Sequence, residues 1–272
     1  MHMLLAIDIG ATKTLLAVFS AEGKIVTQYK FATNRTYAGF LKDLDKAVSE
    51  QLHNFKLIAC CCALPGSIDR KSGTGLSFGN LAWRNVPVKK DLEKLLGGIP
   101  VWVEHDSSLA GLAEAELTHG KYKKLLYLTI STGIGDGIII NGKIDTDFAN
   151  SEAGQMVLEH DGKLQKWESF ASGKSLVERY GKMASEIDDP KIWREFANNL
   201  VPGIYQLVAS FQPDVVIIGG GVGAHFEKFG PFLTGKLDKF ENKLVGMPPI
   251  IKAVRPEEAV IYGCYDYYKQ QS

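Results

Sequence analysis

The sequence predicts an α/β fold made of two similar domains that flank an active-site cleft. Apolar runs typical of buried strands alternate with helical periods along the whole chain. Each half begins with a hairpin around a loop of glycine, threonine or serine, once near residue 10 and again near residue 133. No stretch rich in Pro, Ser and Gly, the composition typical of a linker between domains, separates the two halves, so we expect them to pack closely.

The first half is predicted to contain five strands and a helix. The strands are Leu4–Asp8, Thr14–Phe19, Ile25–Lys30, Leu57–Ala63 and Val101–Glu104, and a helical period runs from Phe40 to Val48 between the third and fourth. Pro65-Gly66 ends the fourth strand with a turn, and a polar loop follows. Ser107 is predicted to be the N-cap of a helix that extends to about His119.

The second half repeats the opening pattern and then becomes mainly helical. The predicted strands are Leu125–Ile130, Ile138–Ile140, Val215–Ile218 and Ile250–Val254; the predicted helices are around Gly173–Met183, Pro190–Phe211 and His225–Phe240, with a C-terminal helix that opens at Pro256. Asn141-Gly142 is a strong signal for a tight hairpin. We therefore predict a first domain of residues 1–106 plus 256–272 and a second, larger domain of residues 107–255.

Composition narrows the classes of function. The chain has 272 residues, 45% hydrophobic content and a formal net charge of +0, so nothing favours long-range attraction to nucleic acid or to an anionic membrane. Three of the four cysteines are consecutive, and we expect them to be small apolar fillers of a buried strand. Disulfide spacing, a signal peptide and a membrane-spanning apolar run are all missing, so we expect a cytoplasmic protein.

The two glycine-containing loops predict phosphate binding. In Asp8-Ile-Gly-Ala-Thr-Lys-Thr14 and in Ser131-Thr-Gly-Ile-Gly-Asp-Gly137, glycine allows close backbone approach, and N–H and hydroxyl groups can hold phosphate oxygens. The Asp8 carboxylate at the end of its strand can hold Mg²⁺ directly or through water. Ser172-Gly-Lys-Ser175 is not a P-loop, because Glu168 stands where its first glycine belongs. Gly219–Gly223 is better interpreted as backbone that approaches an adenosine than as a dinucleotide fingerprint.

With these motifs in place, the chain resembles the ROK family of bacterial sugar kinases and related repressors over nearly its full length. Besides the two phosphate loops, the segments that carry the resemblance are Leu64-Pro-Gly-Ser67, Gly79-Asn-Leu-Ala-Trp83, Glu104-His-Asp-Ser107, Asn141-Gly-Lys143, Glu152-Ala-Gly-Gln155, Trp167-Glu168 with Ser172-Gly173, and Gly219–Gly223. The resemblance implies two actin-like (ribonuclease H-like) domains. It also implies an ATP- and Mg²⁺-dependent kinase that phosphorylates a hexose hydroxyl, with Asp106 as the general base.

The resemblance also implies a role for each candidate site residue. The phosphates and the nucleotide are expected to contact Asp8, Gly10, Ala11, Thr12, Lys13, Thr132, Gly133, Gly220 and Gly221, with Asp8 holding Mg²⁺ through water. The sugar is expected to contact Gly66, Asn80, His105, Asp106, Glu152, Gln155 and Glu168. For Glu168 a solvated surface glutamate, and for His105 a structural histidine bonded to a backbone carbonyl, are the alternatives.

Two positions depart from the family pattern. His105 stands where the family has an asparagine before the catalytic aspartate, and Gln155 stands where it has a histidine. The zinc cysteines that follow in the family are missing, so we expect no zinc site.

These departures leave the substrate open. Glucose, phosphorylated at the 6-position, is the first candidate; an N-acetylated amino sugar, fructose, or a catalytically inert sugar sensor are the alternatives. Polyphosphate stays open as the donor. The resemblance implies a homodimer. We expect no DNA binding, because the first strand begins at about Leu4 and leaves no room for a preceding helix-turn-helix.

Overall fold

The computed structural model describes residues 3–271. The chain divides into two compact units, one formed by the residues up to Ala110 together with those from Val260 onward, the other by Gly111–Ala259. Each unit contains a five-stranded mixed sheet, and the predicted α/β class with two domains of similar design is confirmed. The predicted domain boundaries, 106/107 and 255/256, stay predictions.

The first unit is built around one mixed sheet. Its strands are β1 (Met3–Ile9), β2 (Lys13–Phe19), β3 (Ile25–Ala32), β4 (Leu57–Leu64), β5 (Ser67–Asp69), β6 (Thr74–Ser77), β7 (Arg84–Val86) and β8 (Val101–His105), and its helices are α1 (Tyr37–Gln51), α2 (Val88–Leu95), α3 (Asp106–Leu117) and the C-terminal α9 (Ala259–Gln271). The main sheet has the order β3-β2-β1-β4-β8, in which β1, β4 and β8 are parallel. Because parallel strands end at the same edge, Asp8 and Asp106 lie along one edge of this sheet.

Helices complete the core of the first unit. Thr36 caps α1, since its hydroxyl accepts the Gly39 N–H at 3.2 Å, and α1 buries Phe40 and Leu44 against the sheet. Helix α9 packs closely on α3: a Cβ at Gly263 would lie 1.9 Å from the Leu109 carbonyl oxygen. The helix pair therefore requires glycine at residue 263.

The second unit repeats the sheet and adds a large helical layer. Its strands are β9 (Lys124–Ile130), β10 (Ile134–Ile140), β11 (Lys143–Ile144), β12 (Val157–His160), β13 (Lys163–Lys166), β14 (Val215–Gly219) and β15 (Ile250–Lys252), and its helices are α4 (Trp167–Ala171), α5 (Gly173–Tyr180), α6 (Pro190–Phe211), α7 (Gly220–Gly223) and α8 (Phe226–Leu237). The order β11-β10-β9-β14-β15 again joins an antiparallel hairpin to parallel strands. Trp167 fits against Gly203 of α6, where a Cβ would lie 2.2 Å from the indole.

Several predictions of local structure are confirmed. The consecutive cysteines lie fully buried in β4, and α6 spans the predicted residues. Asn141 and Gly142 both have positive φ angles, 52° and 73°, as a tight hairpin between β10 and β11 requires.

Other predictions of local structure are wrong. Helix α3 begins at Asp106, so Ser107 lies inside the first turn instead of capping it. Strand β10 begins at Ile134, which shortens the second loop to 131–133, because Gly135 and Gly137 pair with Thr129 and Tyr127 of β9. Helix α9 begins at Ala259 instead of Pro256. The small sheet β5-β6-β7, helices α2 and α4 and the hairpin β12-β13 were not predicted from the sequence.

Candidate active site

Asp106 occupies the first position of α3, directly after β8. The backbone N–H of Ser107 donates to its Oδ1 at 2.6 Å, and its side chain is 33% exposed. The N–H groups of a first helical turn favour a negative charge. The structure therefore provides an accessible carboxylate at the end of a buried strand, which is the arrangement a general base requires.

His105 lies against that carboxylate. Its Nδ1 is 2.8 Å from the Ser107 hydroxyl, and its Nε2 is 3.6 Å from Asp106 Oδ1. The residue is buried, with 7% exposure. The imidazole thus contacts side chains on both sides, and the alternative of a ring bonded to a backbone carbonyl is not what the structure shows.

A buried ion pair supports the strand that leads to Asp106. The Arg70 guanidinium donates to both carboxylate oxygens of Glu104, with Nε at 3.0 and 2.8 Å. Glu104 is 1% exposed, and its Oε1 also accepts the backbone N–H of His105 at 2.7 Å. Burying a carboxylate requires such partners. Arg70 lies in the polar loop after β5, where the sequence offered no signal for its role.

Asp8 lies near Asp106 at the edge of the first sheet. Its pKa is raised to about 7, first because burial disfavours the charge and second because the Asp106 carboxylate repels it, while Lys30 acts in the opposite direction. A divalent cation between such carboxylates would remove the repulsion and favour the ionised form. Asp8 is therefore suited to hold a metal ion.

The first phosphate loop is a tight turn between β1 and β2. The Gly10 N–H donates to the Lys13 carbonyl at 3.0 Å, and a Cβ at Gly10 would lie 2.9 Å from that oxygen. The Thr33 hydroxyl, directly after β3, donates to the Gly10 carbonyl at 2.7 Å and fixes the turn. Ala11 is half-buried, and Thr12 and Lys13 are exposed, so their groups can reach a ligand.

The two other candidates of the first unit lie in its loops. Gly66 has a φ of 98°, and a Cβ there would lie 2.3 Å from the Ser77 carbonyl oxygen, so the turn requires glycine. Asn80 is exposed. The nearby Trp83 is buried, and its indole N–H donates to the Arg35 carbonyl at 3.1 Å, which anchors the loop that presents Asn80.

The second phosphate loop lies beside a cavity of about 680 Å³ inside the second unit. Its lining residues are Ser131, Thr132, Gly173, Lys174, Val177, Met183, Ala184, Ser185, Gly221, Val222, Ala224, His225 and Glu257. The N–H groups of Gly173 and Lys174 donate to the carbonyls of Ser131 and Thr132 at 2.7 and 3.3 Å. The start of α5 is thereby fixed to the phosphate loop.

Of the glycines predicted to bind nucleotide, the structure places only Gly221 among the cavity-lining residues. Gly220, the preceding residue, packs against β9: its φ is 83°, and a Cβ there would lie 2.5 Å from the Ile130 carbonyl oxygen. Gly133 instead faces Glu168, since a Cβ there would lie 2.6 Å from Glu168 Oε2.

The sugar candidates of the second unit form a small cluster. The Gln155 amide donates to Glu168 Oε1 at 2.6 Å, and the Ile134 N–H approaches Oε2 at 3.4 Å. Glu152 is exposed. Buried Asp136 holds the turn that carries it, because its Oδ1 accepts the Ala153 N–H at 2.7 Å and its Oδ2 accepts the Ser151 hydroxyl. In the sequence, Asp136 stands in the glycine-containing segment 131–137, which gave no indication of this partner.

The sequence pattern of the ROK family matches residues 4–271 of the chain. The chain belongs to the ROK family.

The chain is similar to several sugar kinases. It is 26% identical over 264 residues to a glucokinase of Streptomyces coelicolor, covering 82% of this chain and 83% of the relative. It is 27% identical over 238 residues to a fructokinase of Lactococcus lactis subsp. cremoris, covering 80% and 78%. The structure of a ROK glucokinase from Streptomyces griseus in complex with glucose and AMPPNP matches with a TM-score of 0.85, 25% identity and coverage of 98% and 99%. A ROK transcriptional regulator shares the fold, with a TM-score of 0.79 at 17% identity.

Within residues 3–271, no three His, Cys, Asp or Glu side chains come together to hold an ion. At the position of the family's histidine, Gln155 is occupied by its bond to Glu168. Across the same range, none of the helices is both long enough and apolar enough to cross a membrane.

Proposed function

We propose that this ROK protein is an ATP-dependent kinase that phosphorylates a hexose hydroxyl, with Asp106 as the general base. The observation that carries the proposal is the Asp106 carboxylate, accessible, bonded to a helix N–H and close to the second carboxylate of Asp8. In the proposed step the sugar hydroxyl gives its proton to Asp106. The hydroxyl oxygen bonds to the γ-phosphorus as the bond between that phosphorus and the ADP oxygen breaks.

The cavity of the second unit supports a nucleotide as the donor. Its walls include the aliphatic side chains of Val177, Met183 and Val222, and its volume of about 680 Å³ is in the range of small-ligand sites. An apolar-walled cavity beside a phosphate loop suits a purine, which inorganic polyphosphate lacks. We therefore assign ATP, with Thr132 and Gly221 as its contacts.

Mg²⁺ is proposed to act from the first unit, with Asp8 as its protein ligand, directly or through water. When bound, the ion neutralises charge on the transferred phosphate. Gly10, Ala11, Thr12 and Lys13 are proposed to contact phosphate oxygens through their backbone N–H groups and side chains.

The sugar is proposed to contact Gly66 and Asn80 in the first unit and Glu152, Gln155 and Glu168 in the second. Carboxylates and amides match the donors and acceptors of vicinal hydroxyls. Glucose is the first candidate, since relatives and structural neighbours include glucokinases. Fructose is the alternative that the fructokinase similarity supports.

A sugar sensor without turnover is the second candidate. It is favoured by the bond between Gln155 and Glu168, because two proposed sugar contacts satisfy each other at 2.6 Å. A family regulator with the same fold gives this alternative further support.

A coupled ADP-release assay with Mg-ATP distinguishes the two. Glucose, mannose, fructose, N-acetylglucosamine and N-acetylmannosamine are each added, with polyphosphate replacing ATP in a parallel series. Turnover on one sugar that requires ATP supports the kinase and names its substrate. Sugars that raise the melting temperature without any ADP release would support the sensor, and turnover with polyphosphate alone would overturn the assignment of ATP.

A further inference from the structure

The His105 imidazole lies between two groups with different roles. On one side its Nδ1 is 2.8 Å from the Ser107 hydroxyl. On the other its Nε2 is 3.6 Å from Asp106 Oδ1, slightly beyond hydrogen-bond distance. The ring is packed inside the protein with a side-chain exposure of 9%. Both ring nitrogens therefore face the protein's own side chains.

This arrangement selects one neutral tautomer. A carboxylate oxygen only accepts hydrogen bonds, so the nitrogen that faces Asp106 is favoured as the N–H donor. Nδ1 is then the acceptor, and the Ser107 hydroxyl donates to it. A proton on Nδ1 would instead direct a lone pair at the Asp106 carboxylate.

Two donors then converge on the same oxygen of Asp106. The Ser107 N–H reaches Oδ1 at 2.6 Å, and the His105 Nε2–H points at Oδ1 from 3.6 Å. A hydrogen bond at the second contact requires Nε2 and Oδ1 to approach each other by a few tenths of an ångström. With Oδ1 held from both sides, Oδ2 is the oxygen left to take a proton from a substrate.

The backbone of His105 is held independently of its ring. Its N–H donates to Glu104 Oε1, and Glu104 is in turn bound by Arg70. This ion pair fixes the backbone at residue 105, and the burial of the ring, with a side-chain exposure of 9%, limits its freedom to turn toward a ligand.

We propose that His105 is a positioning residue for Asp106 and not a sugar ligand. Its Nε2–H, oriented by the Ser107 hydroxyl, holds Oδ1 so that Oδ2 accepts the proton of the sugar hydroxyl. This inference rests on the proposed kinase function. According to this proposal, the histidine that replaces the family's asparagine at residue 105 affects the reaction step and not the choice of sugar.

Two substitutions separate the two roles of the ring. The amide nitrogen of glutamine takes the place of Nε2, and that of asparagine takes the place of Nδ1. His105→Gln therefore keeps a donor toward Asp106, whereas His105→Asn removes it and keeps only the contact with Ser107. Both are neutral amides of similar polarity, so they form a matched pair.

With the sugar that the wild type phosphorylates, His105→Asn is expected to lower kcat about tenfold, because misplacement of a reacting group slows the reaction strongly. The KM for the sugar is expected to stay within about twofold, and His105→Gln to recover most of kcat. A higher sugar KM in either variant with unchanged kcat would overturn the proposal and make His105 a sugar ligand. Equal kcat losses in both variants would overturn it as well.

A second measurement does not depend on activity. Nitrogen NMR of the ¹⁵N-histidine-labelled protein at pH 8.5, with His105→Asn used to assign the ring, is expected to show the proton on Nε2. Ser107→Ala is expected to shift the Nδ1 signal while leaving the other five histidines unchanged. A proton on Nδ1, or one shared by both nitrogens, would overturn the proposal. If the wild type phosphorylates no sugar while the Nε2–H tautomer is observed, the proposed function fails and the arrangement around Asp106 stands.

Discussion

The two phosphate loops have the same position in their sheets but different surroundings. The first, between β1 and β2, lies near a set of ionisable groups: Asp8, Asp106, His105 and the pair of Glu104 with Arg70. The second, between β9 and β10, lies beside a cavity lined by apolar side chains and glycine together with Lys174, His225 and Glu257. Under the proposed function, the first loop lies with the residues for proton transfer and metal binding, and the second lies beside the nucleotide cavity.

This difference explains why each loop depends on different residues. Around the first loop, burial and neighbouring charges change the ionisation of a side chain, as the raised pKa of Asp8 indicates. Around the second loop, the backbone conformation limits which residues are tolerated, since Gly220 must adopt a conformation that few other residues can adopt. Substitutions should therefore disturb the first unit through charge and the second through steric fit.

The largest expected effect of this kind is on Gly220. Gly220→Ala places a Cβ 2.5 Å from the Ile130 carbonyl oxygen at a φ of 83°. We expect a loss of about 2–4 kcal/mol in the free energy of unfolding, from backbone strain and displacement of the strand. Urea unfolding measures this loss.

Gly221→Ala is the matched control for Gly220→Ala. A Cβ at Gly221 would meet none of the described atoms within 4 Å. We expect a stability change within about 0.5 kcal/mol. If both variants were equally stable, steric fit would not be what distinguishes the second loop.

A smaller effect is expected from the charge of Asp8. Its pKa is ordinary in the unfolded chain and about 7 in the folded protein. The folded state therefore holds a proton that the unfolded state loses between about pH 4 and 7, so this contribution to stability is complete below pH 4 and is lost as the pH rises through 7.

Asp8→Asn removes this titration. In the presence of a chelator, we expect the wild type to lose about 1–2 kcal/mol more stability than the variant between pH 5 and 8, a value below the full shift because Asp8 is only partly buried. Thermal unfolding at the two pH values provides the measurement, and saturating Mg²⁺ should reduce the difference. If the stability of both proteins changed equally with pH, the pKa of Asp8 would not be raised in the folded protein.

The smallest effect is expected at Gln155. Gln155→Ala removes the donor to Glu168 Oε1, but the side chain is exposed, so stability should change by less than about 1 kcal/mol. If Gln155 contacts the sugar, the KM for the sugar should rise a few-fold with kcat nearly unchanged. A fall in kcat at constant KM would instead connect this cluster to the reaction step.

The sequence predicted the fold of both halves because both depend on strong local signals. Continuous apolar runs mark β4 and β14, and Asn141-Gly142 marks a hairpin. The small sheet β5-β6-β7 and the hairpin β12-β13 escaped prediction because their strands of three or four residues are mostly exposed and lack a hydrophobic period.

The site was predictable to the level of motifs but not of pairings. Asp8 was identified from its position at a strand end, and Asp106 from the resemblance of Glu104-His-Asp-Ser107 to the family's catalytic segment. The pairing of Arg70 with Glu104, and the support of Asp136 for the Glu152 turn, join residues that are far apart in sequence. Only the folded chain brings them together, and no local pattern announces such contacts.

The division between the two loops is tested most directly at Asp106. Asp106→Asn should lower kcat on the preferred sugar by about a hundredfold or more, while isothermal titration gives the same affinity for ADP as the wild type. That result would separate proton transfer by Asp106 from nucleotide binding. A variant that keeps most of its turnover, or that loses ADP binding together with its activity, would contradict the account.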